Sequence, residues 1–301
     1  MDRVKRLIHC EKAYKAGLSG KRVTVAVMDT GAAPHPDFSN RVVVFRDFCG
    51  KRISMYDDNG HGTHIAGIIG GNGSRSKDER GNCRYAGIAP KVEYVILKVL
   101  DQKGNGVTSH VLEGVDWLLH NREKYGIRIL NISVGMLPSA GKMERDALLY
   151  AVDAVWDSGI AVISAAGNNG PGENTVTIPG ISRKVITVGS LDDEVIPAER
   201  AGKLMKGYTG FGPTECCIVK PEILAPGTNI TSCAKDGTYT VKSGTSMAAP
   251  VVSGALALAL ERHPDWLPAD LKLRLYESAY PRGEQIGRNC WGILHTDNLI
   301  R

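Results

Sequence analysis

The chain has 301 residues, of which 43% are apolar and 23% are charged, and its formal net charge is +5. This composition is typical of a globular protein with enough apolar residues for a substantial core. Acidic residues are interleaved with the basic ones, so no basic run of the kind that binds nucleic acid is present. The sequence also lacks an uninterrupted apolar stretch of about eighteen residues, which a membrane-spanning helix would need.

The N-terminal stretch, MDRVKRLIHCEKAYKAG, has no apolar segment of the kind found in export signals. We therefore expect one domain over residues 1–301, without a signal peptide or a long propeptide, and a cytoplasmic location, or a secreted one if an export leader was removed. Cysteines stand at positions 10, 49, 83, 216, 217, 233 and 290. This odd number without a C-x-x-C pair favours free thiols in a reducing compartment, and it leaves open a redox-sensitive thiol.

Short apolar runs alternate with helical patterns along the chain. Strands buried on both faces are predicted at 23–28, 92–99, 128–133, 160–166 and 184–189. Helices are predicted at 61–71, 109–124, 144–158, 246–263 and 267–279. The alternation predicts a three-layer α/β protein with a mostly parallel central sheet and helices on both faces. Ligands of such sheets bind beyond the carboxyl ends of the strands.

Two candidate site residues come from the first strand and the first long helix. Asp29 ends the strand in VAVMDTG, where a buried carboxylate requires a partner, although it could simply cap the next turn. His61 begins the helix in NGHGTHIAG. It could also form a metal-binding pair with His64, or be structural, but no H-E-x-x-H motif and no nearby acidic or cysteine pair completes a zinc shell.

A third candidate is Ser246 in KSGTSMAAPV, at the start of the most apolar predicted helix. Serine is a preferred helix N-cap, and that structural role would suffice if the segment stood alone. An acid ending one strand, a histidine beginning one helix and a serine beginning another can however meet at the same edge of a parallel sheet. Nucleophilic acyl transfer requires these three groups.

The chemistry assigns a role to each group. His61 would accept the proton of the Ser246 hydroxyl, with activity falling as the imidazole protonates near its usual pKa of about 6.5. Asp29 would orient the ring and stabilise the imidazolium. Asn168, in the glycine-flanked turn SAAGNNG, is either a turn residue or a donor to the oxyanion, together with the backbone N–H of Ser246.

Six segments, VAVMDTG, HGTHIAG, NISVG, AAGNNG, KPEILAPG and GTSMAAPVVSG, resemble in the same order the signature segments of the subtilisin-like serine proteases, the subtilases. The resemblance runs from about residue 18 to the C-terminal region. It implies a subtilisin-like fold and a single peptidase catalytic domain over residues 1–301. It also implies a serine endopeptidase of broad specificity that forms an acyl-enzyme on Ser246 and prefers a neutral or apolar residue before the cut. The order Asp, His, Ser is the one known for subtilisin.

The resemblance further implies two chain edges that pair with an extended polypeptide substrate. These edges and the walls of the first side-chain pocket comprise Gly104, Asn105, Gly106, Ser133, Val134, Gly135, Ala165, Ala166 and Gly167. Asn169 and Thr177 should lie at the pocket floor, where Thr177 would narrow the pocket.

No cofactor is expected for the chemistry, while Asp37 in PHPDF matches an acid that binds calcium in many relatives. The loop expected to complete that site, 72–85, carries three arginines and one lysine, which argues against a dication. The alternative function is a catalytically silent subtilase-fold binding protein, which would be recognised by loss of a catalytic residue. The segment around Ser246 also lacks the G-x-S-x-G motif of lipase-type hydrolases. The sequence leaves the oligomeric state open.

Overall fold

In the computed structural model of the chain, the structure describes residues 1–133, 135, 141–195, 206–214, 218–281 and 290–301. Within these ranges the strands are β1 Thr24–Asp29, β2 Val42–Asp47, β3 Glu93–Lys98, β4 Ile127–Ile132, β5 Ala161–Ala165, β6 Ile186–Ser190, β7 Ile223–Ala225, β8 Ile230–Cys233, β9 Tyr239–Lys242 and β10 Gly292–Ile293. The helices are α1 Asp2–Leu7, α2 Glu11–Lys15, α3 His61–Gly70, α4 Thr108–Asn121, α5 Lys142–Asp157, α6 Thr245–Arg262, α7 Pro268–Ser278 and α8 Thr296–Leu299.

Eight strands form one sheet in the order β10-β7-β6-β5-β4-β1-β3-β2, and every pairing in it is parallel. The predicted parallel sheet is thereby confirmed, and the five predicted strands form its centre. The sequence patterns did not indicate the edge strands β2 and β10, nor β7, which lies between β10 and β6. They also did not indicate the antiparallel hairpin of β8 and β9, which lies outside the main sheet.

Helices cover both faces of the sheet because successive side chains of a buried strand point to opposite sides. Val25 and Val27 of β1 belong to a core that includes α3, α6 and α7. Ala26 and Met28 belong to a second core that includes α4 and α5. Each fully buried aliphatic side chain contributes roughly 1.5–3 kcal/mol. As predicted from its all-round apolar pattern, α6 runs through the interior, with 15 of its 18 residues buried.

The carboxyl ends of the neighbouring strands β1, β4 and β5 meet at one edge of the sheet. Helices α3 and α6 have their N-termini near this edge, so free backbone N–H groups and the positive ends of two helix dipoles face it. The topology therefore places polar residues that follow β1, β4 and β5 beside the first residues of α3 and α6. Among the described helices, none is long and apolar enough to cross a lipid bilayer.

Candidate active site

Asp29, the last residue of β1, contacts His61, the first residue of α3. The two carboxylate oxygens of Asp29 lie 2.8 and 3.0 Å from His61 Nδ1. Because a carboxylate can only accept, Nδ1 carries the proton and Nε2 is left as an acceptor. Burial alone would lower the pKa of His61, but the negative charge and hydrogen bond of Asp29 raise this pKa above its usual 6.5. The expected acid and base of the site are therefore in contact.

Helix α3 is fixed at its N-terminus by Asp57, a residue that the sequence patterns did not single out. Its carboxylate accepts hydrogen bonds from the backbone N–H of Gly60 at 2.7 Å and from both the N–H and the hydroxyl of Thr63. A side chain at Gly62 would stand 2.1 Å from the Gly31 carbonyl and 3.2 Å from Asp29. Asp57 and this close approach of the backbones hold His61 against Asp29. The sequence does contain a signal for this role of Asp57, because it is an acid three residues before Gly60, the residue that precedes the helix.

Ser246 is the second residue of α6 and is partly exposed. Its hydroxyl donates to the carbonyl oxygen of Ser133, the residue that follows β4, at 2.9 Å. Ser133 and His61 line the same cavity of 320 Å³. Ser246, the candidate nucleophile, thus lies beside the cleft that His61 lines, and its hydroxyl hydrogen points to the Ser133 carbonyl.

Asn168 lies in the turn after β5 and is tied to α6 through its carbonyl group. Asn168 Oδ1 accepts the backbone N–H of Thr245 at 2.9 Å and the Thr245 hydroxyl at 3.1 Å. The same hydroxyl accepts the N–H of Gly167 at 3.1 Å. Because Oδ1 is occupied, the amide orientation is set, and the Nδ2 donors keep no protein partner in the described part of the chain. This geometry suits a donor to an external anion.

Two chain segments border the cleft, and they contain the residues that the resemblance suggests as substrate edges. Gly106 forms an isolated antiparallel bridge with Leu100, and Gly104 and Asn105 lie in the exposed turn between them. Ser133 and Gly135 form the opposite edge, while Val134, which was expected both in this edge and in the pocket wall, lies outside the described residues. An apolar cavity of 270 Å³ lies between the edges and is lined by Leu100, Gly104, Asn105, Gly106, Val107, Thr108, Val111, Ile132, Gly135, Leu148 and Pro179.

Thr177 fills the space between the expected pocket edges. Its hydroxyl lies 2.5 Å from where a side chain on Gly135 would begin, and its methyl lies 2.5 Å from the same point on Gly167. The backbone N–H of Thr177 donates to Ala166, which is fully buried, and Ala165 is only 4% exposed. Any side chain that enters between these glycines meets a neutral hydroxyl and a methyl group.

Lys98 is a further buried residue that the sequence patterns missed. It ends β3 beside Asp29, with the two residues in register, and is 1% exposed. Its ammonium group donates three hydrogen bonds of 2.8 Å, to the carbonyls of Thr30 and Leu100 and to Asp58. Lys98 therefore ties together the turn after Asp29, the segment before His61 and the wall of the substrate cleft.

The alternative of a metal bound by His61 and His64 does not fit the geometry. His64 Nε2 donates to the carbonyls of Ile230 and Thr240, while His61 Nδ1 is engaged by Asp29. Burial, the charge of Lys242 and the charge of His61 lower the pKa of His64 to about 3, so His64 remains neutral. His64 instead fixes the β8–β9 hairpin to α3.

The buried residues His35, Asp37 and Cys233, with Tyr239, form what we call the Asp37 cluster. Asp37 Oδ1 accepts from the Ser74 hydroxyl and the Arg75 backbone, and Oδ2 accepts from the Tyr239 hydroxyl at 2.7 Å and the Cys233 thiol. Calcium requires six to eight oxygen ligands, and Asp37 is the one carboxylate that this group of described residues supplies. Protein donors occupy both carboxylate oxygens, so the residues present do not fit a calcium shell.

Comparison with known proteins gives a consistent result. Residues 20–293 match the model of the subtilase family, Peptidase_S8. The chain is 38% identical to serine protease AprX of Bacillus subtilis (strain 168), over 90% of this chain and 65% of AprX. It is 33% identical to subtilisin DY of Bacillus licheniformis, over 92% of this chain and 91% of that protein. The crystal structure of a cold adapted subtilisin-like serine proteinase is 32% identical, with a TM-score of 0.75 and coverage of 93% of this chain and 90% of the other.

Proposed function

The chain belongs to the subtilase family of serine peptidases, and from that premise we propose that it is an endopeptidase that acylates its own Ser246. The contact between Asp29 and His61 carries this proposal, because it joins a buried acid to a base that lines the cleft. We also propose that the chain forms one catalytic domain, which is supported by the family match over residues 20–293.

In the first half of the reaction, Ser246 Oγ attacks the carbonyl carbon of the scissile bond and His61 Nε2 takes the hydroxyl proton. The hydroxyl must first rotate away from the Ser133 carbonyl, which agrees with the loose contacts common in sites without substrate. The C–N bond then breaks, and the amine leaves with the proton from His61. In the second half, water attacks the ester carbon and gives a proton to His61. The bond between this carbon and Ser246 Oγ then breaks, His61 returns the proton to Oγ, and the acyl half leaves as a carboxylic acid.

The negative charge on the tetrahedral intermediate needs donors that are already in place. We assign this role to Asn168 Nδ2 and the backbone N–H of Ser246. The orientation of the Asn168 amide, fixed by Thr245 at 2.9 Å, supports the assignment. The N-terminal position of Ser246 on α6 adds a favourable helix dipole. Subtilase chemistry requires no cofactor.

We propose that a polypeptide substrate binds as an extended strand between the edges at 104–106 and 133–135. The residue before the cut would be neutral and fairly apolar, because Thr177 narrows its pocket and contributes no charge. The apolar cavity of 270 Å³ would accept a second apolar side chain further along the same half of the substrate. Specificity would be broad, since the backbone provides most of the hydrogen bonds.

A fluorophosphonate probe tests the nucleophile, because it reacts only with an activated serine. Labelling should be confined to Ser246, located by peptide mass spectrometry, and should be absent in Ser246→Ala. A matched variant, Ser243→Ala, removes a neighbouring hydroxyl and should label as the native protein does. Absence of labelling in the native protein would contradict the proposal and favour the alternative of a catalytically silent binding protein.

We further propose that the protein works in a reducing compartment such as the cytoplasm. Cys10, Cys49, Cys83 and Cys233 carry free thiols, which favours such an environment. A thiol titration of the denatured protein, isolated without reductant, should detect at least these four of the seven cysteines as free thiols. If they were found as disulfides while enzymatic activity remained, the proposed compartment would be wrong.

A further inference from the structure

A second cleft lies on the other side of the α3 N-terminus. It is a cavity of 330 Å³ between the residues that precede His61, Asn59 and Gly60, and the β8–β9 hairpin, which contributes Lys235 and Lys242. Asn59 also lines the cavity of 320 Å³ that contains Ser133. The start of α3 therefore separates two clefts, and His61 stands at the boundary.

The reaction decides which half of a substrate faces the second cleft, provided that the proposed function is correct. The acyl half stays bonded to Ser246, whose hydroxyl lies beside Ser133. The amine half must pass His61, since His61 gives it a proton. Residues after the scissile bond are then directed past the start of α3 and towards the β8–β9 hairpin.

Lys242 places a positive charge in this second cleft. The side chain is partly buried, and the described part of the chain offers it no ion pair or hydrogen bond. Its charge reaches the site, because Lys242 acts to lower the pKa of His61 and of His64. A partly buried cation without a counter-ion has lost some of its hydration and gained no compensating contact.

The other charged groups of this cleft already have partners. Lys235 Nζ donates to the Asp58 carbonyl at 2.6 Å. The carboxylate of Asp236 accepts from the backbone N–H and the hydroxyl of Thr238, at 3.0 and 2.6 Å. Lys235 is exposed to solvent, whereas Lys242 is partly buried, so Lys242 is the partly buried cation of the described cleft whose ammonium group has no protein partner.

We propose that Lys242 selects substrates with an aspartate or glutamate at the first or second position after the scissile bond. The carboxylate of the substrate supplies the counter-ion that the protein does not. Charge pairs of this kind act on specificity more than on total affinity. Since the pair is partly exposed, we expect a preference of about 2- to 5-fold in kcat/KM.

The test uses pairs of quenched fluorescent peptides that share one acyl half and differ only as Glu against Gln after the cut. The Glu/Gln ratio of kcat/KM should be about 2 to 5 in the native protein at low ionic strength, and should fall in high salt. It should be close to 1 in Lys242→Met and below 1 in Lys242→Glu, while Lys242→Arg should keep the preference. The matched control is Lys91→Met. Lys91 is exposed and lies just before the amino end of β3, whereas the site lies at the carboxyl ends of the strands, so this variant should retain the native ratio.

A native ratio of 1, or an unchanged ratio in Lys242→Met, would overturn the proposal. The same peptide pairs are also titrated against Ser246→Ala, with and without Lys242→Met, to measure binding without turnover. If the native protein cuts neither peptide, the proposed function fails, and the Glu/Gln ratio of dissociation constants still decides the role of Lys242. Circular dichroism verifies that each variant is folded.

Discussion

Asp29 and Asp37 are both fully buried aspartates near the amino end of the chain, yet their surroundings differ. Asp29 is hydrogen bonded to His61, a group that can change its protonation state and borders a cleft. Asp37 is bonded to the neutral hydroxyls of Ser74 and Tyr239 and to the thiol of Cys233. Burial of a carboxylate therefore does not predict its role.

The difference lies in what the partner of each carboxylate can do. A titratable partner at a cleft can pass a proton to a substrate, whereas neutral buried donors can only hold chain segments together. We call Asp29, His61, Asn168 and Ser246 the catalytic edge. Changes at the catalytic edge should affect kcat far more than stability, while changes in the Asp37 cluster should lower stability and leave kcat nearly unchanged.

The largest effect is expected for Asp29→Asn. The amide cannot stabilise the imidazolium and favours the wrong His61 tautomer, so kcat should fall about 10⁴-fold, as in the general Ser-His-Asp template. Peptide hydrolysis measures kcat, and circular dichroism verifies the fold. A loss of less than about tenfold in kcat, which corresponds to about 1.4 kcal/mol in the activation barrier, would contradict the proposed role of Asp29.

Asn168→Ala should reduce kcat by roughly 10²- to 10³-fold with little change in KM, a loss known for the corresponding donor of subtilisin. Asn168→Asp keeps the acceptor for Thr245 but replaces the Nδ2 donors by a carboxylate oxygen whose negative charge opposes the oxyanion, so its kcat should fall at least as far. Both variants should lose activity in steady-state assays. Native activity in Asn168→Asp would show that the oxyanion is stabilised elsewhere.

Asp37→Asn should lower the free energy of unfolding by about 2–3 kcal/mol, because a charged acceptor of buried donors is lost. Denaturant unfolding in the Ser246→Ala background, which prevents self-digestion, measures this change. With Ser246 intact, kcat of the folded enzyme should stay within about twofold of the native value. A fall in kcat comparable to that of Asp29→Asn would abolish the distinction between the two aspartates.

Added calcium provides a control for the comparison of the native protein with Asp37→Asn. Since protein donors occupy both oxygens of Asp37, the stability difference between native and Asp37→Asn should be equal with a chelator and with added calcium. Tyr239→Phe, which removes one donor, should cost about 1 kcal/mol. A difference that appears only with calcium would make Asp37 a metal ligand.

The smallest effect concerns pH. Asp29 raises the pKa of His61 above its usual 6.5. As the pH is lowered, kcat/KM should therefore begin to fall while the pH is still above 6.5. The raised pKa also makes the stabilising contribution of the pair complete below the unfolded pKa, and this contribution is lost as pH rises through the folded pKa. NMR titration of His61 in Ser246→Ala should show a lower pKa when Asp29→Asn is added. An unchanged pKa would contradict the proposed coupling.

The sequence alone predicted the ends of the central strands and of the helices α3 to α7 to within three residues. Those segments are long enough for their apolar periodicity to be clear, as in α6. It also predicted Asp29, His61 and Ser246, because each stands at the end of a strand or the start of a helix. The short strands β7 and β10 carry too few residues for any period to be visible.

The contacts that position these residues could not be predicted. Lys98 binds Asp58, Asp37 binds Cys233 across 196 positions, and Ser246 donates to Ser133 across 113. Local patterns contain no information about such partners, because folding alone brings them together.

The sequence by itself thus determined the fold class and the types of residue at the sheet edge, since periodicity and chain order depend only on local chemistry. The tertiary structure decided that the carboxylate of Asp29 accepts a hydrogen bond from a histidine at a cleft, and that the carboxylate of Asp37 accepts from hydroxyls, a thiol and a backbone N–H. It also decided that the partly buried Lys242 lines a cleft without a counter-ion in the described part of the chain. The physical reason is that the behaviour of a buried or half-buried charge depends on the groups within a few ångströms of it, and these come from distant parts of the chain.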